Sequence, residues 1–237
     1  MSDTAVILAG GLGTRLYPYT VTIPKPLVPV GKYSVLEVMI KQLKYFGFSR
    51  VIVTVNHQAE MIESFFRDGQ QYGVEIDYVR EKKRLGTMGP LRGIKDLPDQ
   101  FLVANGDILT DINLSALVEA HEKSRSILTV STFQKDHQMA YGVIKTDDTG
   151  SILGFEEKPK LTVDVSMGIY MMNRGVVDHI PEDKYFGFDD LMLTLLKKEQ
   201  PASVFFHAGY WRDLGTPEDY QLACDEFNSR EDSLIRG

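Results

Sequence analysis

The stretch LAGGLGTRLYPYTVTIPKPLVPV, residues 8–30, narrows what this chain can fold into more than any other feature. It follows an apolar run at residues 5–8 and places Gly10, Gly11 and Gly13 within four positions. An apolar run that stops at glycines reads as a buried strand opening into a turn, the start of an α/β unit. Arg15 follows at once, and Lys25 stands between Pro24 and Pro26, which stiffen the backbone on both sides and set where the ammonium points. Backbone N–H groups beside two fixed cations suit a polyphosphate, because they replace the water that would otherwise solvate its charge. The loop is no dinucleotide fingerprint, since the third glycine position holds Leu16. Nor is it a phosphate loop of the NTPase kind, since no Gly-Lys-Ser/Thr closes the run.

Strands and helices alternate beyond it. Helical spacing over residues 34–46, closed by Gly47, predicts an amphipathic helix. Residues 50–55, 74–79 and 101–104 read as buried strands, residues 60–67 as a short helix, and a helix is expected around Leu91. Asn113 is placed to cap a helix over residues 114–123. The second half changes character: residues 127–133, 141–145, 152–156 and 165–172 read as successive strands. A helix over 188–198, a strand over 202–206 and a last helix over 217–227 follow. The expectation is an α/β fold whose mostly parallel sheet, with helices on both faces, becomes mixed toward the C-terminal side. With no repeat, linker or low-complexity segment, residues 1–237 read as one domain with a less regular second lobe.

A net charge of −7 argues against nucleic acid or an anionic membrane as the main partner, while a local cluster of cations can still take an anionic small molecule. The one cysteine, Cys224, excludes a disulfide within these residues and reads as a small buried side chain of the last helix. No apolar run reaches the roughly 18 residues that span a bilayer, and the N-terminus lacks a signal-peptide pattern, so a cytoplasmic protein is expected. His57, His121, His137, His179 and His207 are scattered without metal spacing and read as structural or surface residues.

GGLGTRL followed by PKPLVPV resembles the signature of the sugar nucleotidyltransferases, also called nucleoside-diphosphate-sugar pyrophosphorylases. The resemblance continues in order through LGTMGPL, NGD, YGV, EKP, GIY and W-x-DLGTPEDY, and includes mannose-1-phosphate guanylyltransferase-like members. It implies a Rossmann-like three-layer sandwich, with a nucleotide-binding half at residues 1–125 and a sugar-phosphate-binding half at 126–237. It also implies condensation of a nucleoside triphosphate with a sugar 1-phosphate, release of pyrophosphate, and Mg²⁺ as cofactor. A homo-oligomer stays open. The short run after the last helix carries the expectation that the C-terminal β-helix of some members is lacking.

The same resemblance assigns residues. Asp107, within Asn105-Gly106-Asp107, follows a strand and so stands at the end where α/β sheets take ligands. It is implied to hold Mg²⁺ together with Asp213 of Trp211-Arg212-Asp213-Leu214-Gly215, and two carboxylates meeting triphosphate oxygens suit that ion. Asp111 is a weaker candidate that could equally cap the following segment. The nucleotide would lie against Leu8, Gly10, Gly11, Gly13, Thr14, Arg15, Glu81, Gly86 and Thr87. The sugar phosphate would meet Asn105, Tyr141, Gly142, Glu157, Lys158 and Gly168. Arg15, Lys25, Asp107 and Lys158 would carry catalysis. A phosphate monoester with a second pKa near 6 is largely dianionic at neutral pH, so positioning and charge neutralisation suffice without a general base.

Glu81 of EKKRLG favours GTP, because guanine presents N1–H and N2–H₂ donors that a carboxylate accepts; a UTP- or dTTP-dependent enzyme of the glucose-1-phosphate type is the alternative. Ser166-Met167-Gly168 stands where the family usually reads Asn-Ala-Gly, removing an amide and adding the bulk of Met167, and Ser34 replaces a common proline. The sugar therefore stays open among mannose, heptose and glucose types. A glycosyltransferase using a finished nucleotide sugar is less favoured, because Asp107 has no Asp-x-Asp partner.

Overall fold

The computed structural model describes residues 3–235. In chain order the strands are β1 (Thr4–Leu8), β2 (Pro29–Val30), β3 (Tyr33–Ser34), β4 (Arg50–Val55), β5 (Glu75–Arg80), β6 (Gln100–Asn105) and β7 (Ile108–Thr110). They continue with β8 (Leu128–Gln138), β9 (Val143–Thr146), β10 (Ile152–Glu156), β11 (Lys160–Asn173), β12 (Ala202–His207) and β13 (Trp211–Asp213). The helices are α1 (Val35–Tyr45), α2 (Ala59–Phe66), α3 (Leu114–Ser124), α4 (Phe188–Lys197) and α5 (Pro217–Leu234).

Seven strands form one sheet in the order β12-β8-β11-β6-β1-β4-β5. β11 runs antiparallel to both β6 and β8, and the remaining pairs are parallel. The mixed character thus enters on the C-terminal side, as the pattern predicts. Residues alternate across β1, so Ala5 and Ile7 join one core with Leu36 of α1, Ile62 of α2 and Leu117 of α3. Val6 faces the other way, into a core that includes Leu191 and Leu195 of α4. Helices on both faces make the chain a three-layer α/β sandwich. Among the described residues no helix is long and apolar enough to cross a membrane.

Local chemistry accounts for the helix starts. The Ser34 hydroxyl accepts from the Glu37 N–H at 3.2 Å, and the Asn113 side chain accepts from the Ala116 N–H at 3.0 Å. Thr216 caps α5, with Pro217 at the first helical position. The segment around Leu91 is not an α-helix: Gly89–Gly93 forms a 3-10 turn, because Pro90 and the flanking glycines disfavour a longer helix. β8 and β11 extend well past their apolar cores, in a ladder from Lys160↔Gln138 to Ser166↔Thr132. α5 likewise runs seven residues beyond the expected end at Phe227, to Leu234, which is buried. Cys224 lies in α5 half-buried rather than in the core.

His121 shows how the buried polar groups are satisfied. Its Nε2 lies 3.0 Å from the Asn173 Oδ1 and its Nδ1 lies 2.8 Å from the Thr129 Oγ1. An amide oxygen only accepts, so Nε2 carries the hydrogen and Nδ1 accepts from the Thr129 hydroxyl. Burial holds the ring's pKa below the ordinary histidine value. The unfolded ring takes up a proton near pH 6.5 while the folded ring resists it, so stability is fully present above that pH and is lost as pH falls below it. Urea-unfolding midpoints should fall between pH 7.5 and 5.5, and His121→Gln should remove part of that slope; an unchanged slope would contradict this arrangement.

Candidate active site

The loop after β1 leaves the sheet between two parallel neighbours. The Ala9 N–H donates to the Thr54 carbonyl of β4, and the Gly106 N–H donates to the Leu8 carbonyl, each at 3.0 Å. Gly13 adopts φ +64, a left-handed conformation that glycine enters without strain, and its carbonyl accepts from the Thr20 hydroxyl at 2.8 Å. Leu16 is fully buried beneath this turn, leaving Thr14 and Arg15 exposed above it.

Lys25 begins the 3-10 turn Lys25–Leu27, and its side chain is only 10% exposed. The ammonium donates to Asp107 and lies 3.8 Å from the Asp213 Oδ1. Short strands bring these two acids together. β7 pairs antiparallel with β13, Asp213 opposite Ile108, and the Leu214 N–H donates to the Asp107 carbonyl at 3.1 Å. Arg15 joins them: a Cβ built on Gly215 would lie 3.4 Å from the Asp213 Oδ2 and 3.6 Å from the Arg15 Nη1. Burial, and then the charge of Asp107, push the Asp213 carboxyl above the usual carboxylate range, against the pull of Lys25 and Arg15. Two converging carboxylates of this kind offer hard oxygen donors, and they fit a divalent cation such as Mg²⁺.

Arg15, Asp107 and Asp213 line one end of a cavity of about 440 Å³, with the buried Lys25 paired to the two acids behind them. Its floor follows the strand ends, where Thr54, Leu8 and Asn105 stand side by side in register. Gly10, Gly11 and Thr14 border it, and Glu81, Gly86 and Thr87 close the far end. Glu81 turns inward rather than joining Lys82 and Lys83 at the surface: a Cβ on Gly10 would sit 2.3 Å from its Oε1. The Leu85 N–H donates to its Oε2 at 3.4 Å, and burial raises its pKa.

The loop bearing Glu81 is tied to the approach of α4. The Phe186 N–H donates to the Leu85 carbonyl at 2.8 Å, and the Phe186 carbonyl accepts from the Met88 and Gly89 N–H groups at 3.0 and 3.1 Å. Gly86, at φ +78, passes against that carbonyl, where a Cβ would lie only 2.6 Å away.

Arg84 and Leu85 of the EKKRLG run line the cavity with Glu81, and Leu12, Thr54, Pro90 and Tyr185, which the sequence did not single out as site residues, line it as well. Thr54 had a usable signal, as it lies near the end of a parallel strand beside the glycine loop. Tyr185, about a hundred positions from Glu81 in sequence, had none.

The predicted sugar side divides. Asn105 lines the cavity, and Gly168, at φ +73, lets it approach: a Cβ there would lie 2.5 Å from the Asn105 Nδ2. Met167, whose bulk was expected at the sugar, is instead packed in the core, while its carbonyl accepts from the Trp211 Nε1–H at 3.0 Å. Tyr141, Gly142, Glu157 and Lys158 lie outside the cavity, around the exposed β9–β10 hairpin. Gly142 sits against the Phe155 ring and Glu157, and the Lys158 carbonyl accepts from the Gln138 side chain. Asp111 accepts from the Tyr210 N–H at 2.7 Å and lies 3.0 Å from the His207 Nε2, which gives it a structural partner set. A second cavity, about 770 Å³, shares Arg15 and Asp213 with the first.

Residues 4–229 match a family model described as nucleotidyl transferase. The UTP–glucose-1-phosphate uridylyltransferase of Synechocystis sp. is 37% identical over 96% of this chain and 64% of its own length. The mannose-1-phosphate guanylyltransferase of Mycobacterium tuberculosis is 32% identical over 91% of this chain and 62% of its own length. The chain thus spans a little under two thirds of these two relatives. The crystal structure of HddC from Yersinia pseudotuberculosis superposes with a TM-score of 0.74 at 28% identity, covering 94% of this chain and 99% of that one. HddC has also been solved complexed with GMP-PN.

Two glycines separate packing from permissiveness. Gly168→Ala should lower unfolding stability by about 1–3 kcal/mol, because it combines a left-handed φ with a collision against Asn105. Gly11→Ala, with nothing within 4 Å of the added carbon, should stay within about 0.5 kcal/mol. Denaturant titrations of the two variants check the contrast.

Proposed function

Because the chain belongs to the nucleotidyl transferase family, we propose that it condenses a nucleoside triphosphate with a sugar 1-phosphate. A phosphate oxygen of the sugar 1-phosphate attacks the α-phosphorus of the triphosphate. The new P–O bond forms as the bond from that phosphorus to the α,β-bridging oxygen breaks, and pyrophosphate leaves with the electron pair. The attacking phosphate is largely dianionic at neutral pH, so no side chain has to remove a proton. The barrier then comes from gathering anions, and cations held in place lower it.

The observation that carries this reading is the cluster of Arg15, Asp107 and Asp213, backed by the buried Lys25, at one end of a cavity that Glu81 over Gly10 also lines. In the proposed roles Arg15 neutralises the departing pyrophosphate, and Lys25 aligns the phosphoryl groups. Asp107 and Asp213 would hold Mg²⁺, which when bound screens the repulsion between the two substrates. Among the described residues no third His, Cys, Asp or Glu joins that pair, so its remaining ligands would be substrate oxygens and water. Gly10, Gly11, Gly13 and Thr14 present backbone to the nucleotide.

For the base we favour guanine. The half-buried Glu81 carboxylate offers two acceptor oxygens to the N1–H and N2–H₂ donors, and uracil and thymine lack that donor pair. The guanylyltransferase relative and the GMP-PN complex of HddC support this choice. The uridylyltransferase relative supports UTP as the second reading. For the sugar phosphate we propose Asn105, Gly168, Tyr141, Gly142, Glu157 and Lys158, with a mannose- or heptose-type substrate.

A matrix of nucleoside triphosphates against sugar 1-phosphates, read by pyrophosphate release, decides between these readings. GTP with a mannose- or heptose-type phosphate should give the highest kcat/KM, and a preference for UTP with glucose 1-phosphate would replace that assignment. No turnover with any pair would sink the enzyme class. Chelation should abolish turnover, and added Mg²⁺ should restore it.

Arg15→Ala should lower kcat by about 10²–10³-fold, the loss seen when one charge-stabilising donor is removed, with thermal stability unchanged. Lys158→Ala should raise KM for the sugar phosphate by about 10–100-fold, as expected for one charged hydrogen bond. If KM for the nucleotide moves instead, the assignment of Lys158 to the sugar side is wrong.

A further inference from the structure

Tyr185 combines features that the proposed chemistry leaves unexplained. It lines the same cavity as Gly10, Glu81 and Gly86, yet it is 70% exposed. An aromatic ring standing in water at the rim of a cavity has surface to offer a ligand. Its backbone, by contrast, is tightly held. The neighbouring Phe186 exchanges hydrogen bonds with Leu85, Met88 and Gly89, and the Phe188 N–H donates to the Thr87 hydroxyl at 3.0 Å. On its other flank Asp183 pairs with Lys83 at 3.4 Å. The residue that follows Tyr185 and the loop that carries Glu81 are therefore one hydrogen-bonded unit, and Tyr185 moves with it.

That unit presents two different surfaces to one ligand. Glu81 offers acceptors to a polar edge, and Tyr185 offers a flat π-face. A heteroaromatic base has both a polar edge and a flat face, whereas a phosphate or a sugar has no face to stack. Arg84 also lines this cavity and is exposed. We propose that Tyr185 is a base-binding residue that stacks on the purine or pyrimidine of the nucleoside triphosphate whose edge Glu81 reads. This assignment rests on the nucleotidyltransferase reading and deepens it. Glu81 would discriminate among bases, while Tyr185, stacking on any of them, would set affinity without choosing.

The test uses the whole chain and compares Tyr185→Ala, Tyr185→Phe and Tyr185→Trp with the parent. Tyr185→Ala should raise KM for the nucleoside triphosphate by about 5–100-fold, the span that loss of one base–aromatic stack covers. KM for the sugar 1-phosphate should hold, and the Phe and Trp variants should stay within a few-fold of the parent. The rise should be similar for every triphosphate the parent accepts, whereas Glu81→Gln should change their ranking. Isothermal titration with GTP in the absence of sugar 1-phosphate should show the same loss. Thermal melting should be unaltered, since the ring is exposed. A parent that turns over while Tyr185→Ala keeps its nucleotide KM overturns the stacking role alone. A rise shared equally by Tyr185→Phe overturns it as well, because the hydroxyl rather than the ring would then be the contact. A parent that binds no nucleotide defeats the underlying reading instead.

Discussion

The site depends on one buried ammonium. Lys25 is almost wholly removed from water, and a charge so placed is tolerable only if it is paired. Asp107 and Asp213 supply the partners, and each arrives by a different route. Asp107 comes from the turn that ends a central parallel strand, and Asp213 from a three-residue strand that pairs beside it. Without Lys25 the two carboxylates would repel each other, and without them Lys25 would be an uncompensated charge. The cluster therefore locks the loop after β1, the β6–β7 turn and the β13 segment into one arrangement, and Arg15 extends it toward the cavity.

The opposite end of the cavity is built by other means. There the backbone does the holding, through hydrogen bonds between the loop bearing Glu81 and the residues ahead of α4. Glycines mark the points where chains press closest: Gly10 under the Glu81 carboxylate, and Gly86 against the Phe186 carbonyl. A rigid charged end and a hydrogen-bonded polar end, joined by the strand-end floor of Thr54, Leu8 and Asn105, give a cleft with a built-in direction. In the proposed function phosphates belong at the first end and the base at the second.

Much of this was legible in residue order. The apolar run into Gly10 and Gly11, the prolines around Lys25 and the strand before Asn105-Gly106-Asp107 each carry local chemistry that survives without tertiary context. The helix cap at Asn113 is of the same kind, because a cap is completed within three residues, whereas Ser34, read as the first helical residue, proves to cap α1. The helix expected around Leu91 failed for an equally local reason, since Pro90 and its glycine neighbours admit only a tight turn. Met167 failed for a global one: alternation along β11, with a break in register between Ser166 and Tyr170, sends it into the core instead of toward a ligand.

The sequence by itself determined the α/β alternation, the phosphate-suited loop and the identity of the charged groups, because these follow from short-range patterning and from side-chain chemistry. Only the tertiary structure decided which of those groups meet. The β7–β13 pairing that sets Asp213 beside Asp107 spans about a hundred residues and involves three residues on each strand, too few to show a period. The docking of Tyr185 onto the Glu81 loop rests on backbone hydrogen bonds, which any residue can make and which therefore leave no trace in composition. Long-range contact made by short or backbone-only interactions is what residue order cannot encode visibly, and both ends of this cavity are closed by contacts of that kind.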